Sequence, residues 1–163
     1  MKNAFALLLM LVALNCFSQE LPSPYEKGFA FPIGTKFTIK LDTKDTSAMT
    51  YSIIKFEEFT QTIDTWDNDK LFDKNGEEDT IEFYFCLGTH GENEKEKEKN
   101  MQVLLLFKNR TKFALSYLSE IQTDEDGEFK ETSNMGTFPG AKGTEMWPYM
   151  IHAIGLKDFK IIK

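Results

Sequence analysis

Thr80–Leu87 reads TIEFYFCL, with Ile81, Phe83, Phe85 and Leu87 at alternate positions. A period of two puts those four side chains on one face of an extended strand, so the segment belongs to a sheet. Tyr84 falls on the opposite face with Glu82 and Cys86. That second face is not purely polar, which points to a face covered by other parts of the chain or by a partner.

The same alternation recurs along the chain. Thr35–Leu41 carries Phe37, Ile39 and Leu41 on one side, and Met49–Glu58 and Phe59–Trp66 read as further strands. Met101–Lys108, Lys112–Gln122, Glu128–Thr132 and Asp158–Ile162 complete the set. Asn75-Gly76 and Asp126-Gly127 are hairpin signals, and Asn109-Arg110-Thr111 reads as an exposed turn. Short strands joined by such turns are antiparallel. An open sheet of this many strands would leave two edges and a face unprotected, so closure or double layering is favoured. The expected fold is mainly β: an antiparallel barrel or sandwich of about seven to eight strands with one C-terminal helix. That helix is expected from Thr144 as cap, Glu145 and Pro148 in the first turn, and Gly155 at its end. Met146, Met150, Ile151 and Ile154 supply its apolar stripe.

The N-terminus carries a different signal. Lys2 precedes the eleven-residue apolar run Ala4–Leu14, which as a helix spans roughly 16 Å, about half a bilayer core. That length suits a secretory signal peptide, with Cys16-Phe17-Ser18 as the cleavage region. Residues 1–18 are therefore read as the signal peptide, 19–33 as an extended, proline-rich lead-in, and 34–163 as a single β-rich domain. Lipid anchoring through Cys16 is the alternative; the preceding Asn15 and Ala13 fit it less well. The expected location is the periplasm or the extracellular space, with no transmembrane segment after cleavage.

Composition then narrows the function. The chain holds 15 Phe and 13% aromatic residues, too much apolar bulk for a disordered segment. Removing residues 1–18 leaves 18 basic against 26 acidic side chains, a net charge of −8. Such a surface lacks the positive patch that nucleic acid or anionic lipid requires, so no nucleic-acid partner is expected. Cys86 would be the only cysteine left, buried in an apolar strand, and it reads as a small hydrophobe.

Candidate sites follow from residue types. Tyr51, Trp66, Tyr84 and Tyr117 could line a cavity for a small apolar ligand, because such pockets are apolar with a few polar tips. Asp64, Asp67, Asp69 and Asp73 concentrate carboxylates around one hairpin and could meet a basic partner. Calcium-loop spacing fails there, since position 71 is Leu and position 122 is Gln where ligands are needed. His90 stands at a strand end, where catalytic groups occur, but no local nucleophile or orienting group accompanies it. Glu92–Lys99 alternates Glu and Lys and reads as a solvated loop or strand extension. Asn109-Arg110-Thr111 also matches the N-glycosylation sequon. No cofactor, metal ligand set or catalytic motif is assigned. The leading expectation is an exported, non-enzymatic protein that binds a small apolar ligand or a protein partner. A structural or inhibitory interaction protein with an acidic surface is the alternative, and a secreted hydrolase the third.

Overall fold

The computed structural model describes residues 20–45 and 49–162. The expected signal peptide, residues 1–18, and with it Cys16 lie outside them. Strands dominate: β1 (Gly28–Pro32), β2 (Thr35–Asp42), β3 (Thr50–Glu58), β4 (Ile63–Asp64), β5 (Thr80–Thr89), β6 (Gln102–Asn109), β7 (Leu115–Gln122), β8 (Lys130–Thr132), β9 (Lys142–Trp147) and β10 (Ala153–Ile161). Among the described residues one short helix, α1 (Glu94–Lys99), interrupts them.

The strands form two sheets rather than a closed barrel. The larger has the order β3-β2-β5-β6-β9, with β4 added beside the end of β5, and the smaller has the order β1-β10-β7-β8. All pairings are antiparallel except the two-residue β4–β5 contact. Both sheets contribute to one apolar cluster, in which Phe37, Phe83 and Leu105 from the larger meet Phe31, Leu115 and Leu156 from the smaller. The rings there are in mutual contact. Phe31 stacks on Phe37 at 3.6 Å between centroids, and Phe37 on Phe83 at 5.0 Å. A bulge in β10 is bridged by Asp158, whose φ of 55° is left-handed. The irregularity coincides with a fully buried Phe159, which stacks on Tyr117 at 4.9 Å and meets Tyr51 edge-on at 5.3 Å.

Several sequence expectations are corrected. The expected helix from Thr144 to Gly155 is replaced by β9 and the start of β10, while the strand expected at Asp158–Ile162 is the end of β10. Trp147 through Lys142 pair with β6 from Val103 to Lys108, and β10 lies between β1 and β7. Only strand geometry lets β10 bond on both sides, and that pairing overrides the helical spacing of Met146, Met150, Ile151 and Ile154. Met146 and Met150 remain substantially exposed while Ile151 and Ile154 are buried. The helix forms instead in the Glu/Lys run. Asn93 caps it by accepting from the Glu96 N–H, Glu96 returns a carboxylate to the Glu92 N–H, and acids precede bases along it. None of its residues is buried, so the run is solvated as expected, in helical form.

The lead-in is not simply extended chain: β1 lies within it, and Ser23 and Glu26 bond along β3. Phe59–Trp66 yields only the two residues of β4. Asn75-Gly76 is not a two-residue hairpin turn but part of a long connection from β4 to β5. Gly76 is needed there for close approach, because a Cβ would collide with the Arg110 guanidinium. Asp126-Gly127 does lie in the β7–β8 hairpin loop, where the Gly127 N–H bonds the Asp124 carbonyl. Asn109-Arg110-Thr111 crosses between the sheets, and Asn109 is fully buried, with its amide bonded to the Phe113 carbonyl and the Thr111 N–H. A sequon asparagine enclosed in this way is closed to glycosylation once folded.

Residues 65–79 cover the outer face of the larger sheet. Leu71 and Phe72 pack with Ile63 and Phe59 on Tyr84, Cys86, Leu104 and Leu106. Polar ties hold the segment down: Tyr84 Oη donates to the Leu71 carbonyl at 2.7 Å, Arg110 to the Asp73 carbonyl at 2.6 Å, and Lys142 to the Asp69 carboxylate at 2.8 Å. The covered second face inferred from Tyr84 is therefore covered by the chain itself.

Candidate functional site

The four aromatic rings do not converge. Tyr51 is fully buried, accepting from the Phe29 N–H at 2.8 Å and donating to the Leu156 carbonyl. Burial holds its hydroxyl well above the ordinary tyrosine range. Tyr117 is buried in the same cluster, stacked on Phe159. Tyr84 lies in the outer-face cluster beneath residues 65–79. Trp66, in contrast, is 68% exposed.

The acidic residues also separate. Asp69 pairs with Lys142, and Asp73 lines a polar crevice of about 200 Å³ beside Arg110, Lys36 and Glu82. Within that crevice Glu82 is buried between Arg110 at 3.0 Å and Lys36 at 3.4 Å. Asp67 is exposed in the turn after Trp66. Asp64 belongs to a different and larger feature.

That feature is an open cleft of about 560 Å³ between β4, the end of β5 and α1. Its lining includes Ile63, Asp64, His90, Lys97, Glu98 and Met101. The Trp66 indole lies against the His90 ring, with centroids 5.7 Å apart and planes tilted by 58°. Local chemistry sets this geometry. Asp64 Oδ1 accepts from the Trp66 N–H at 2.8 Å and the Asp67 N–H at 2.9 Å, an Asx turn that holds the backbone at Trp66. Those donors, Asp67 before Trp66, hold the Asp64 carboxyl below the usual carboxylate range. The Thr65 N–H bonds the Thr89 carbonyl, and Gln102 bonds the Thr65 hydroxyl at 3.1 Å. On the opposite wall, Thr89 Oγ1 donates to the Lys97 carbonyl and Asn100 Nδ2 to the His90 carbonyl at 3.0 Å. Both walls are thereby tied to the end of β5.

His90 Nδ1 is shut off from solvent and has no hydrogen-bond partner. The cleft carries Asp64, Glu94 and Glu98 against Lys97, and Lys97 is 3.1 Å from Glu94. Apolar contact area comes from Ile63 and Met101, the latter 43% exposed. Among the described residues, no group of three His, Cys, Asp or Glu side chains could hold a metal ion. No helix among them is long and apolar enough to cross a membrane.

A second polar site lies inside the fold. Glu145 projects from edge strand β9, and its Oε1 accepts from Tyr117 Oη at 2.8 Å. The residue is half-buried, yet Oε2 is out of contact with solvent and unpartnered. Burial pushes its carboxyl up to about 7, with the Tyr117 bond opposing the change. The sequence reading missed this pair because Glu145 was placed in the first turn of a helix. Gly143, Glu145 and Trp147 alternate, and that period was the available signal. Ile63, Glu98 and Met101 were missed for another reason: the cleft exists only once α1 folds against the end of β5.

Compared with known family models, curated proteins and solved structures, the chain matches none.

Proposed function

We propose that this chain is an exported, non-enzymatic binding protein that recognises a protein partner at the cleft beside Trp66. The observation that carries this reading is the exposure of Trp66. Of the four rings singled out from the sequence, three are buried against other side chains and one stands 68% open to solvent. The exposed indole keeps apolar surface in water whose burial against a partner would be favourable. Tryptophan is also among the residues that most often anchor protein interfaces. Its neighbour His90 lines a cleft that also includes Met101, a flexible apolar contact residue, and whose walls are held by hydrogen bonds.

The apolar-ligand version has less support. Tyr51 and Tyr117 are packed on Phe159 and their hydroxyls are engaged, so neither ring faces free space intended for a small molecule. Export rests on the N-terminal apolar run and the short polar region that follows it.

The test is capture from the host envelope fraction with wild-type protein, Trp66→Ala and Tyr149→Ala, all immobilised at equal density. Tyr149 is the control because it is a comparably exposed aromatic, 50% open to solvent, placed after β9, whereas Trp66 packs on the cleft residue His90. The expected result is a partner retained by wild type and Tyr149→Ala and lost by Trp66→Ala. Equal retention by all three would move the recognition surface elsewhere.

A further inference from the structure

Resting on the reading of this cleft as a recognition surface, we infer that it receives an arginine side chain of the partner. Four features converge on that chemistry. The exposed Trp66 indole offers a face for a planar cation, and arginine stacks on aromatic faces as well as being attracted to them. Ile63 and Met101 give an apolar wall against which an aliphatic stem can lie while its head reaches a polar group. Three carboxylates against one ammonium leave the cleft net negative, with His90 taken as neutral. Glu94 is engaged by Lys97, so Asp64 and Glu98 carry the excess charge. Asp64 stays ionised because two backbone N–H groups bond its Oδ1.

The fourth feature is His90. Its Nδ1 is enclosed and unpartnered, and in the tautomer that carries the proton on Nε2 this atom accepts a hydrogen bond. An arginine head has five N–H donors in a planar fork, enough to pair with a carboxylate and, once side-chain movement uncovers it, to serve the ring nitrogen too. A lysine ammonium would satisfy the charge but not the stacking. A carboxylate or phosphate ligand would meet repulsion from Asp64 and Glu98. An apolar group alone would desolvate the Asp64 and Glu98 carboxylates without supplying a cation to pair with them.

The test uses the two indole N–H signals of the full protein in proton–nitrogen correlation spectra, assigned with Trp66→Phe. The probes are acetyl-Gly-Arg-Gly-amide and the same peptide with citrulline, a neutral isostere, in place of arginine. The expected result is a saturable shift of the Trp66 signal by the arginine peptide with the Trp147 signal unmoved. The citrulline peptide should bind at least about tenfold more weakly. Raising salt from about 0.05 to about 0.5 M should weaken the arginine peptide several-fold. The double variant Asp64→Asn, Glu98→Gln keeps an oxygen for the Asx turn, and it should also lose about tenfold for arginine while leaving the free-protein spectrum intact.

Equal binding of the two peptides, or salt-independent binding, would overturn the arginine assignment. No shift with either peptide would overturn it as well. The broader reading fails separately, through partner capture that does not depend on Trp66. If capture depends on Trp66 but the arginine peptide does not compete with the partner, the cleft remains the recognition surface and arginine is excluded as its occupant.

Discussion

On the outer face of the six-stranded sheet, Tyr84, Cys86, Leu104 and Leu106 are buried beneath residues 65–79. On the outer face of the four-stranded sheet, Ala30 is exposed and Leu118 remains 37% exposed. The difference follows from what each face presents. Large rings and branched chains on β5 and β6 would cost about 25 cal/mol for every Å² of apolar area left in water. Gly28 and Ala30 on β1, with Gly155 on β10, present little area to cover, and the ion pair of Lys157 with Glu120 at 2.7 Å adds polarity. A sheet face is therefore covered where its side chains demand it. The covering segment needs no regular structure, only apolar anchors and polar ties.

The charged tie under that cover is the most sensitive point. Arg110→Ala would leave Glu82 with a weaker partner in a site where its side chain is only 10% exposed. We expect a loss of about 3–5 kcal/mol in urea unfolding, the range for breaking a buried pair on one side. A loss below about 1 kcal/mol would mean that Lys36 and solvent suffice.

The inner face of the same sheet is tested by pH through Glu145. Its carboxyl ordinarily titrates near 4.5, and in the fold near 7. Below about pH 4.5 both folded and unfolded chains are protonated there, and the group contributes no pH dependence. Between those values the folded chain keeps a proton that the unfolded chain has lost, so stability falls as pH rises. The loss is complete above about pH 7 and amounts to up to about 3 kcal/mol. Glu145→Gln should flatten that part of the stability profile between pH 5 and 8. An unchanged slope would show that Glu145 is not its source.

Phe72→Ala tests the cover directly. Phe72 is 7% exposed, meets Tyr84 edge-on at 5.2 Å and lies under the Lys142 ammonium. Its truncation should cost about 2–3 kcal/mol, because a covering segment outside regular strands can close part of the space left. Amide exchange should accelerate through residues 65–79 and on β5, with β7 and β10 little changed. The smallest effect is expected on the uncovered face, where Leu118→Ala should change stability by about 0.5 kcal/mol. A loss several times larger would mean that this face is covered after all.

Much of the strand content was legible because alternation is a local property. Phe37, Ile39 and Leu41, or Ile81, Phe83 and Phe85, point to one side whatever the strand later pairs with. Tyr84 likewise announced a covered second face. The stretch from Thr144 to Gly155 was illegible because two local signals, capping and helical spacing, agreed on a helix. Its strand state depends on β6, β1 and β7, segments between about 30 and 130 positions away in the chain. The Glu/Lys run shows the reverse case: its cap and charge order were present in the sequence, while its alternation drew attention to strand geometry. At the site, Trp66, Asp64 and His90 were each noticed singly. Their assembly was not visible, since Asp64 and His90 meet through the parallel β4–β5 contact and the return of α1.

By itself the sequence determined that this chain is built mainly of antiparallel strands with an apolar inner face, because side-chain alternation along a pleated backbone requires no knowledge of neighbours. Only the tertiary structure decided that the sheets stay open and stacked, that Tyr51, Tyr84 and Tyr117 are packed away, and that Trp66 faces solvent beside an acidic cleft. Those outcomes depend on which backbone edges pair and which side chains compete for the same interior volume, quantities set by the whole chain at once.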